Sequence, residues 1–331
     1  MMNNEEYNVF SNGVDNGVPL VTVYTPYYNS KDTVYRTIGS VLNQTFTNIE
    51  YLIIDNASDN DNDLSVELFE KDEILKASFP IVLYAKARNG GVHSSRNLAI
   101  KLARGKFIME IDADDEIKPN TLERNIEIWE SIKDKAKLRS ICSVCVDDTG
   151  MVVGGQFPDN INSLPYEEQN RVLEKVPGEK FAFGLTQPLK NYSWPIEDGV
   201  DYVLESIVWD RLTKDGWRAY YTNESFRIYH NDRAVSLTRN KKKSIRNVRN
   251  IYFNFWYILE NWDSYNYSYK KRIECWLKYC LGECAMKQLD KEAFAKRKLS
   301  RVVDKISTCI LSVPMFFYSK IYIRKWSIST F

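Results

Sequence analysis

Short apolar runs alternate with amphipathic stretches along the first third of the chain. Leu20-Val-Thr-Val-Tyr-Thr25, Tyr51-Leu-Ile-Ile54, Ile81-Val-Leu-Tyr84 and the run from Phe107 to Ile111 are each bounded by polar residues and read as strands. Between the first two, Val34, Ile38, Val41 and Leu42 recur at helical spacing, with Asp32 placed to cap that helix. Residues 92–103 repeat the pattern, with Val92, Ala99, Ile100 and Ala103 on one face. Strand, helix and strand in succession predict a parallel sheet joined by right-handed crossovers. The expected fold is therefore α/β: an open, mostly parallel Rossmann-like sheet flanked by helices.

Polar signals sit where three of these strands end. They are Thr25-Pro26-Tyr27-Tyr28-Asn29, Asp55-Asn56-Ala57-Ser58-Asp59 and Asp112-Ala113-Asp114-Asp115. The carboxyl ends of strands in an open α/β sheet are where ligands bind, so three such signals describe one crevice. The third is the most informative. Three carboxylates within four residues repel one another and are costly to desolvate, and a cation offsets both costs. Oxygen-only ligands select Mg²⁺ or Mn²⁺, which usually keep substrate phosphates as further ligands. The competing reading is a solvated acidic turn.

The order and spacing of four motifs resemble family 2 glycosyltransferases of the A-type fold, which use nucleotide sugars. Val23 to Asn29 resembles the opening strand and Thr-Pro-x-Tyr-Asn turn. Ile53 to Asp59 resembles the apolar-apolar-Asp-Asp-Gly-Ser stretch, with Asn56 and Ala57 in place of Asp-Gly. Asn89 to Asn97 resembles the Asn-x-Gly…Ala-Arg-Asn motif, with Ser95 at the usual Ala. Asp112 to Asp115 resembles the Asp-x-Asp metal motif. The resemblance is strong over residues 18–118, weaker to about residue 240 and absent beyond.

That resemblance implies a role for each residue. Asp55 accepts the ring N–H of the base, usually uracil, as an acceptor-only carboxylate can. Tyr28 and the backbone of Thr25 and Pro26 flank the base. Arg96 forks onto the pyrophosphate. Asp112 takes the ribose hydroxyls or a metal-bound water, and Asp114 ligates Mn²⁺ or Mg²⁺. Asp115 supports the turn, and Gly90 and Gly91 shape the backbone ahead of the helix. His230, in Arg227-Ile-Tyr-His230, is a candidate for the ion or the diphosphate; His93 lines the motif helix.

The acceptor side is expected in the middle of the chain. Trp194-Pro-Ile-Glu197-Asp198-Gly-Val-Asp201 precedes a helical pattern of Val203, Ile207, Val208, Arg211 and Leu212. Family members carry a Glu-Asp pair at such a helix start. An inverting displacement needs a carboxylate to take the acceptor proton, so Asp198 is the expected general base beside Glu197. Asp201 is the rival, and the bland reading is a pair of helix-end carboxylates.

Composition changes the picture at the far end. The net charge is +1, but residues 240–331 hold 19 Lys/Arg against 7 Asp/Glu, and from totals of 45 and 44 that leaves 26 against 37 in residues 1–239. The basic segment is rich in Trp, Tyr and Phe and reads as helices over 244–260 and 268–289. It fits a helical cap with inward aromatics, or a membrane-surface element meeting anionic headgroups. Its longest uncharged run, Ile306 to Ser319, contains Pro314 and is too short to span a bilayer. No nucleic-acid motif is present. Cys142-Ser-Val-Cys145 has CxxC spacing but lies in a strand-like run, and with only 2 His in the chain zinc is not expected. Free thiols in a cytoplasmic setting are expected, since no secretory signal opens the sequence.

The expected organisation is an arm (1–17), a nucleotide-sugar-binding half (18–118), an acceptor-side half (119–239) and a basic helical region (240–331). The expected function is inverting, metal-dependent transfer from a UDP-sugar to a glycan or lipid-linked hydroxyl acceptor, possible membrane contact included. The alternatives are a nucleotidyltransferase, which would carry a Gly-rich loop that residues 18–32 lack, and a non-catalytic nucleotide-sugar-binding scaffold.

Overall fold

The computed structural model describes residues 6–173, 175–230, 245–289, 294 and 296–327. The strands are β1 (Tyr7–Ser11), β2 (Val21–Tyr27), β3 (Ile49–Asp55), β4 (Ile81–Lys86), β5 (Phe107–Glu110), β6 (Glu116–Ile117), β7 (Leu138–Val146), β8 (Lys180–Leu185) and β9 (Arg218–Ile228). The α-helices are α1 (Lys31–Leu42), α2 (Asp72–Leu75), α3 (Val92–Leu102), α4 (Thr121–Ser131), α5 (Tyr166–Leu173), α6 (Thr186–Leu189), α7 (Ser206–Lys214), α8 (Ile245–Glu260), α9 (Tyr269–Leu289) and α10 (Val302–Ser327). Two compact units result: residues 1–193 with 216–234, and residues 194–215 with 235–331.

Among the described residues, all the strands lie in the first unit and form one sheet in the order β1-β4-β3-β2-β5-β8-β7-β9-β6. Its central block, β4-β3-β2-β5, is parallel, as the alternating pattern predicts. Every position of β3 is buried, the mark of a strand covered on both faces. Val34, Ile38 and Val41 of α1 pack into the core with Val21, Val23, Ile53 and Leu83. Pro26 is tolerated inside β2 because pairing with β5 ends at Tyr24, so the N–H it lacks is not needed there.

Three expectations need correcting. Residues 7–11 are not a loose arm but an antiparallel edge strand on β4. Helix α1 begins at Lys31, so Asp32 lies inside its first turn rather than at the cap. Residues 194–215, assigned from sequence to the acceptor-side half, pack with the C-terminal helices.

In the second unit α8 and α9 bury Tyr252, Phe253, Phe255, Trp276 and Tyr279, the inward aromatics of the cap reading. They cross closely at Gly282, where an added Cβ would lie 2.8 Å from Tyr252 Cα. Helix α10 is different. It runs unbroken through Pro314, and its Val302–Ile323 stretch is long and apolar enough to cross a membrane by length and composition. The count of uncharged residues underestimated it, because single charges at Asp304, Lys305 and Lys320 do not end the apolar helix.

Candidate active site

The ends of β2 and β3 build one wall. Asp55 closes β3, is only 4% exposed, and accepts the Ser58 N–H at 2.9 Å and the Ser58 hydroxyl at 2.7 Å. Burial pushes its carboxyl up, and the Ser58 hydrogen bonds oppose that. Thr25 shares a 2.8 Å hydrogen bond with the Tyr51 hydroxyl. Tyr28 follows the end of β2 and is 47% exposed, an open aromatic face beside a buried acceptor. Asn29 stitches the two strand ends together: its N–H donates to Ser58 Oγ at 3.0 Å and its amide nitrogen to Asp59 at 3.0 Å. Ala57 has φ 61°, the left-handed region that favours glycine. This is the position where the resembling motif carries Gly.

Asn56 ties this wall to the next loop. Its amide donates to Asn89 Oδ1 at 2.8 Å and its carbonyl accepts from Lys86 Nζ and the Gly90 N–H, each at 3.1 Å. A Cβ on Gly90 would lie 2.6 Å from Ser94 Oγ, and Gly91, at φ 78°, precedes α3, so both glycines serve backbone shape as expected. The buried face of α3 is His93, Ser94, Ser95, Leu98, Ala99 and Ile100. Arg96 stands on the opposite side of the helix start and forks onto Glu110 at the end of β5, with Nε 2.9 Å from both carboxylate oxygens and a terminal nitrogen 2.7 Å from one. The Tyr24 hydroxyl donates to the same carboxylate. Arg96 was expected on the pyrophosphate; in this structure its guanidinium is paired with Glu110.

The acidic turn after β5 is held from two sides. From α1, Thr37 Oγ1 donates to the Asp115 carbonyl at 2.7 Å and the Asp112 carbonyl at 3.2 Å, Thr33 Oγ1 to the Ala113 carbonyl at 2.8 Å, and Arg36 to the Asp114 carbonyl at 2.6 Å. From β9, the buried Arg227 guanidinium donates to the carboxylates of both Asp115 and Asp112. Asp115 is fully buried and also accepts the His230 N–H at 2.9 Å, so it supports the turn, as expected. Burial pushes its carboxyl up to about 6 against the pull of Arg227. Asp112 and Asp114 remain partly exposed at the rim. Sequence reasoning assigned no role to Arg227, Thr33, Arg36 or Thr37. A lone cation between Phe226 and Ile228 and polar residues interleaved with the apolar face of α1 were the available signals.

A divalent ion fits this turn in one way. Among the described residues no three His, Cys, Asp or Glu side chains converge as a cage. Arg227 occupies Asp115 and one oxygen of Asp112, and His230, expected as a ligand, places Nε2 2.7 Å from Glu116 Oε2. The hard oxygen donors at the rim are the partly exposed carboxylates of Asp112 and Asp114. That set suits Mg²⁺ or Mn²⁺ completed by phosphate and water rather than by protein.

The second unit holds the other candidates. Residues 195–205 are not helical, and α7 starts at Ser206, so Glu197 and Asp198 do not cap a helix as expected. The chain turns at Gly199, φ 74°, and runs without helix or strand to α7. Glu197 pairs with Arg297. Asp201 is held by Asn250, at 2.9 Å, and by Arg246, at 3.3 Å. Asp198 is exposed. All six cysteines are free, and burial pushes Cys145, Cys275 and Cys280 up to about 12.

Residues 22–182 match the family model "Glycosyl transferase family 2". The hyaluronan synthase of Pasteurella multocida is 35% identical over 193 residues, which cover 58% of this chain but 18% of that protein. The chondroitin synthase of the same species gives 34% over 191 residues, again 18% of its length. The chain thus spans under a fifth of these larger relatives. A match of more nearly equal extent is the Escherichia coli UDP-Glc:alpha-D-GlcNAc-diphosphoundecaprenol beta-1,3-glucosyltransferase WfaP, 28% identical over 235 residues, 70% of this chain and 85% of the other. Among solved structures, S. aureus TarS 1–349 in complex with UDP-GlcNAc superposes with a TM-score of 0.53 at 16% identity, over 90% of this chain and 81% of that one, a likeness of fold.

Proposed function

Because residues 22–182 are a family 2 glycosyltransferase domain of the A-type fold, we propose that this chain is an inverting, metal-dependent glycosyltransferase that moves a sugar from a UDP-sugar to a hydroxyl of a glycan or lipid-linked acceptor in polysaccharide assembly. The observation that carries the donor reading is the convergence of Asp55, Tyr28 and the Asp112–Asp115 turn at three neighbouring strand ends. The names of the relatives support the substrate class: nucleotide sugars in TarS and WfaP, and polysaccharide synthesis in the two synthases.

In this reading Asp55 accepts the uracil N–H, and Tyr28 covers the ring with Thr25 and Pro26 behind it. Arg96, paired with Glu110, is the cation this reading assigns to the diphosphate. Asp112 holds the ribose or a water, and Asp114 with Asp112 holds Mn²⁺ or Mg²⁺. The bound ion would supply Lewis-acid stabilisation of the departing diphosphate. His230 steadies the turn through Asp115 and Glu116. Asp198, exposed and flanked by the paired Glu197, takes the proton of the acceptor hydroxyl as the sugar carbon passes through a transition state of oxocarbenium character. The commitment of Asp201 to Asn250 and Arg246 favours Asp198 over it.

Asp114→Ala tests the metal assignment. Isothermal titration of UDP with and without Mn²⁺ should show the metal-dependent gain in affinity in the natural chain and its loss in the variant, with an unchanged melting temperature. An undiminished Mn²⁺ effect in the variant would remove Asp114 from the site.

A further inference from the structure

Helix α10 has its polarity reversed. A helix packed on a water-soluble unit turns its apolar stripe inward and its polar face outward. Here the face against α9 carries Asp304, Thr308 and Ser319, all buried. Asp304 accepts two 2.9 Å hydrogen bonds from Arg272 and one of 2.6 Å from Trp276 Nε1. Gln288 donates to Ser319 Oγ at 2.6 Å, and Cys280 Sγ lies 3.5 Å from the Thr308 carbonyl. The opposite face carries Val302, Ile306, Ile310, Val313, Phe317 and Ile321, a single stripe at helical spacing, exposed throughout and 69% so at Ile310. Only 11% of the most apolar window of this helix, with a mean hydropathy of 1.4, is buried. At 26 residues the helix is roughly 39 Å long, so the stripe is one continuous exposed apolar strip rather than a scatter of single side chains.

We propose that the outer face of α10 lies on the surface of an anionic phospholipid bilayer, with the helix axis in the membrane plane. Charge identifies the occupant. Lys305 and Lys320 are exposed beside the stripe, and Lys287 and Lys296 line a cavity of about 190 Å³ between α9 and α10 together with Thr308 and Ser312. An apolar stripe edged by lysines matches acyl chains below and lipid phosphates above. The same cavity argues for lying on the membrane rather than spanning it. Glu283, paired with Lys287 at 2.7 Å and Lys296 at 3.2 Å, sits beside the middle of α10, and a spanning pose would carry these charges to mid-bilayer. The assignment rests on the second unit alone and does not depend on the transferase reading.

Co-sedimentation of the full chain with large unilamellar vesicles tests it, comparing phosphatidylcholine alone with phosphatidylcholine plus phosphatidylglycerol. The natural chain should bind the anionic vesicles, and added salt should weaken that binding. Ile310→Asn with Phe317→Asn should weaken it about 10-fold or more at an unchanged melting temperature, because two inserted apolar side chains are lost. Lys305→Gln with Lys320→Gln should remove the preference for anionic lipid. An environment-sensitive dye on Cys309, an exposed thiol on the flank of the stripe, should shift to the blue on vesicle addition. The proposal is overturned if the natural chain ignores anionic vesicles, or if the stripe variants bind as tightly. It is equally overturned if the chain is a dimer that the stripe variants dissociate without affecting lipid binding, which would make the face a contact between two copies.

Discussion

At the scale of single residues, the site separates side chains that meet a ligand from side chains that hold those in place. Asp55 belongs to the first kind. Its two local hydrogen bonds both come from Ser58, and Asp55→Ala should weaken UDP binding about 10-fold or more, as the loss of a hydrogen bond to a charged group costs about 1.5–3 kcal/mol. Isothermal titration reads this directly, and an unchanged dissociation constant would remove Asp55 from the base pocket. Arg227 belongs to the second kind. It neutralises Asp115, a fully buried carboxylate. Arg227→Met strands that carboxylate, and breaking a buried pair costs about 3–5 kcal/mol, which should lower the melting temperature by about 10 °C. Arg227→Met with Asp115→Asn should recover part of the loss, since the stranded charge is then gone. Full additivity of the two substitutions would show that the pair is not coupled. The motif residues were legible because their chemistry shows in composition: three carboxylates in four positions need an explanation. Arg227 was not legible, because nothing in the sequence says which buried carboxylate an arginine more than a hundred positions away will meet.

At the scale of elements, the parallel strands and the helices between them were legible from apolar periodicity, since a strand buried on both faces has to be written as a continuous apolar run. The polar work of a helix is harder to read. Helix α1 was recognisable from Val34, Ile38 and Val41, yet it also clamps the acidic turn through Thr33, Arg36 and Thr37. Thr37 is fully buried and bonds two carbonyls of the turn. Thr37→Val keeps the shape but leaves those carbonyls without the hydroxyl, a cost of about 1–3 kcal/mol. Denaturant unfolding should show that loss, together with a weaker Mn²⁺ effect on UDP affinity as Asp112 and Asp114 lose their fixed spacing. A variant as stable as the natural chain, with the Mn²⁺ effect intact, would reduce the clamp to ordinary packing. The opposite misreading occurred at 194–205, where a Glu-Asp-Gly sequence ahead of an apolar pattern suggested a helix start. Gly199 takes a positive φ and no helix forms before Ser206, so the carboxylates stand on a loop.

At the scale of the whole molecule, charge asymmetry announced two regions, but the division between them follows packing rather than composition. Residues 194–215 belong with the C-terminal helices because Asn254 accepts the Leu204 N–H at 2.8 Å and Asn250 donates to Asp201 at 2.9 Å, links that no local pattern encodes. The proposed base therefore belongs to the helical unit, and the proposed donor residues belong to the sheet. This arrangement gives the general-base assignment its sharpest consequence, because proton transfer and nucleotide binding should be separable. Asp198→Asn should lower turnover by about 10²–10⁴, the usual worth of a positioned proton acceptor. The dissociation constant for UDP should stay within error of the natural chain, since Asp55 and the acidic turn are untouched. The pair of measurements decides the role. Loss of UDP affinity along with turnover would make Asp198 part of the donor site or of its scaffold. Normal turnover would pass the role to Asp201, where Asp201→Asn would also have to be tested against Asn250→Ala, because Asp201 is tied to Asn250 and its loss alone would confound chemistry with the folding of α8.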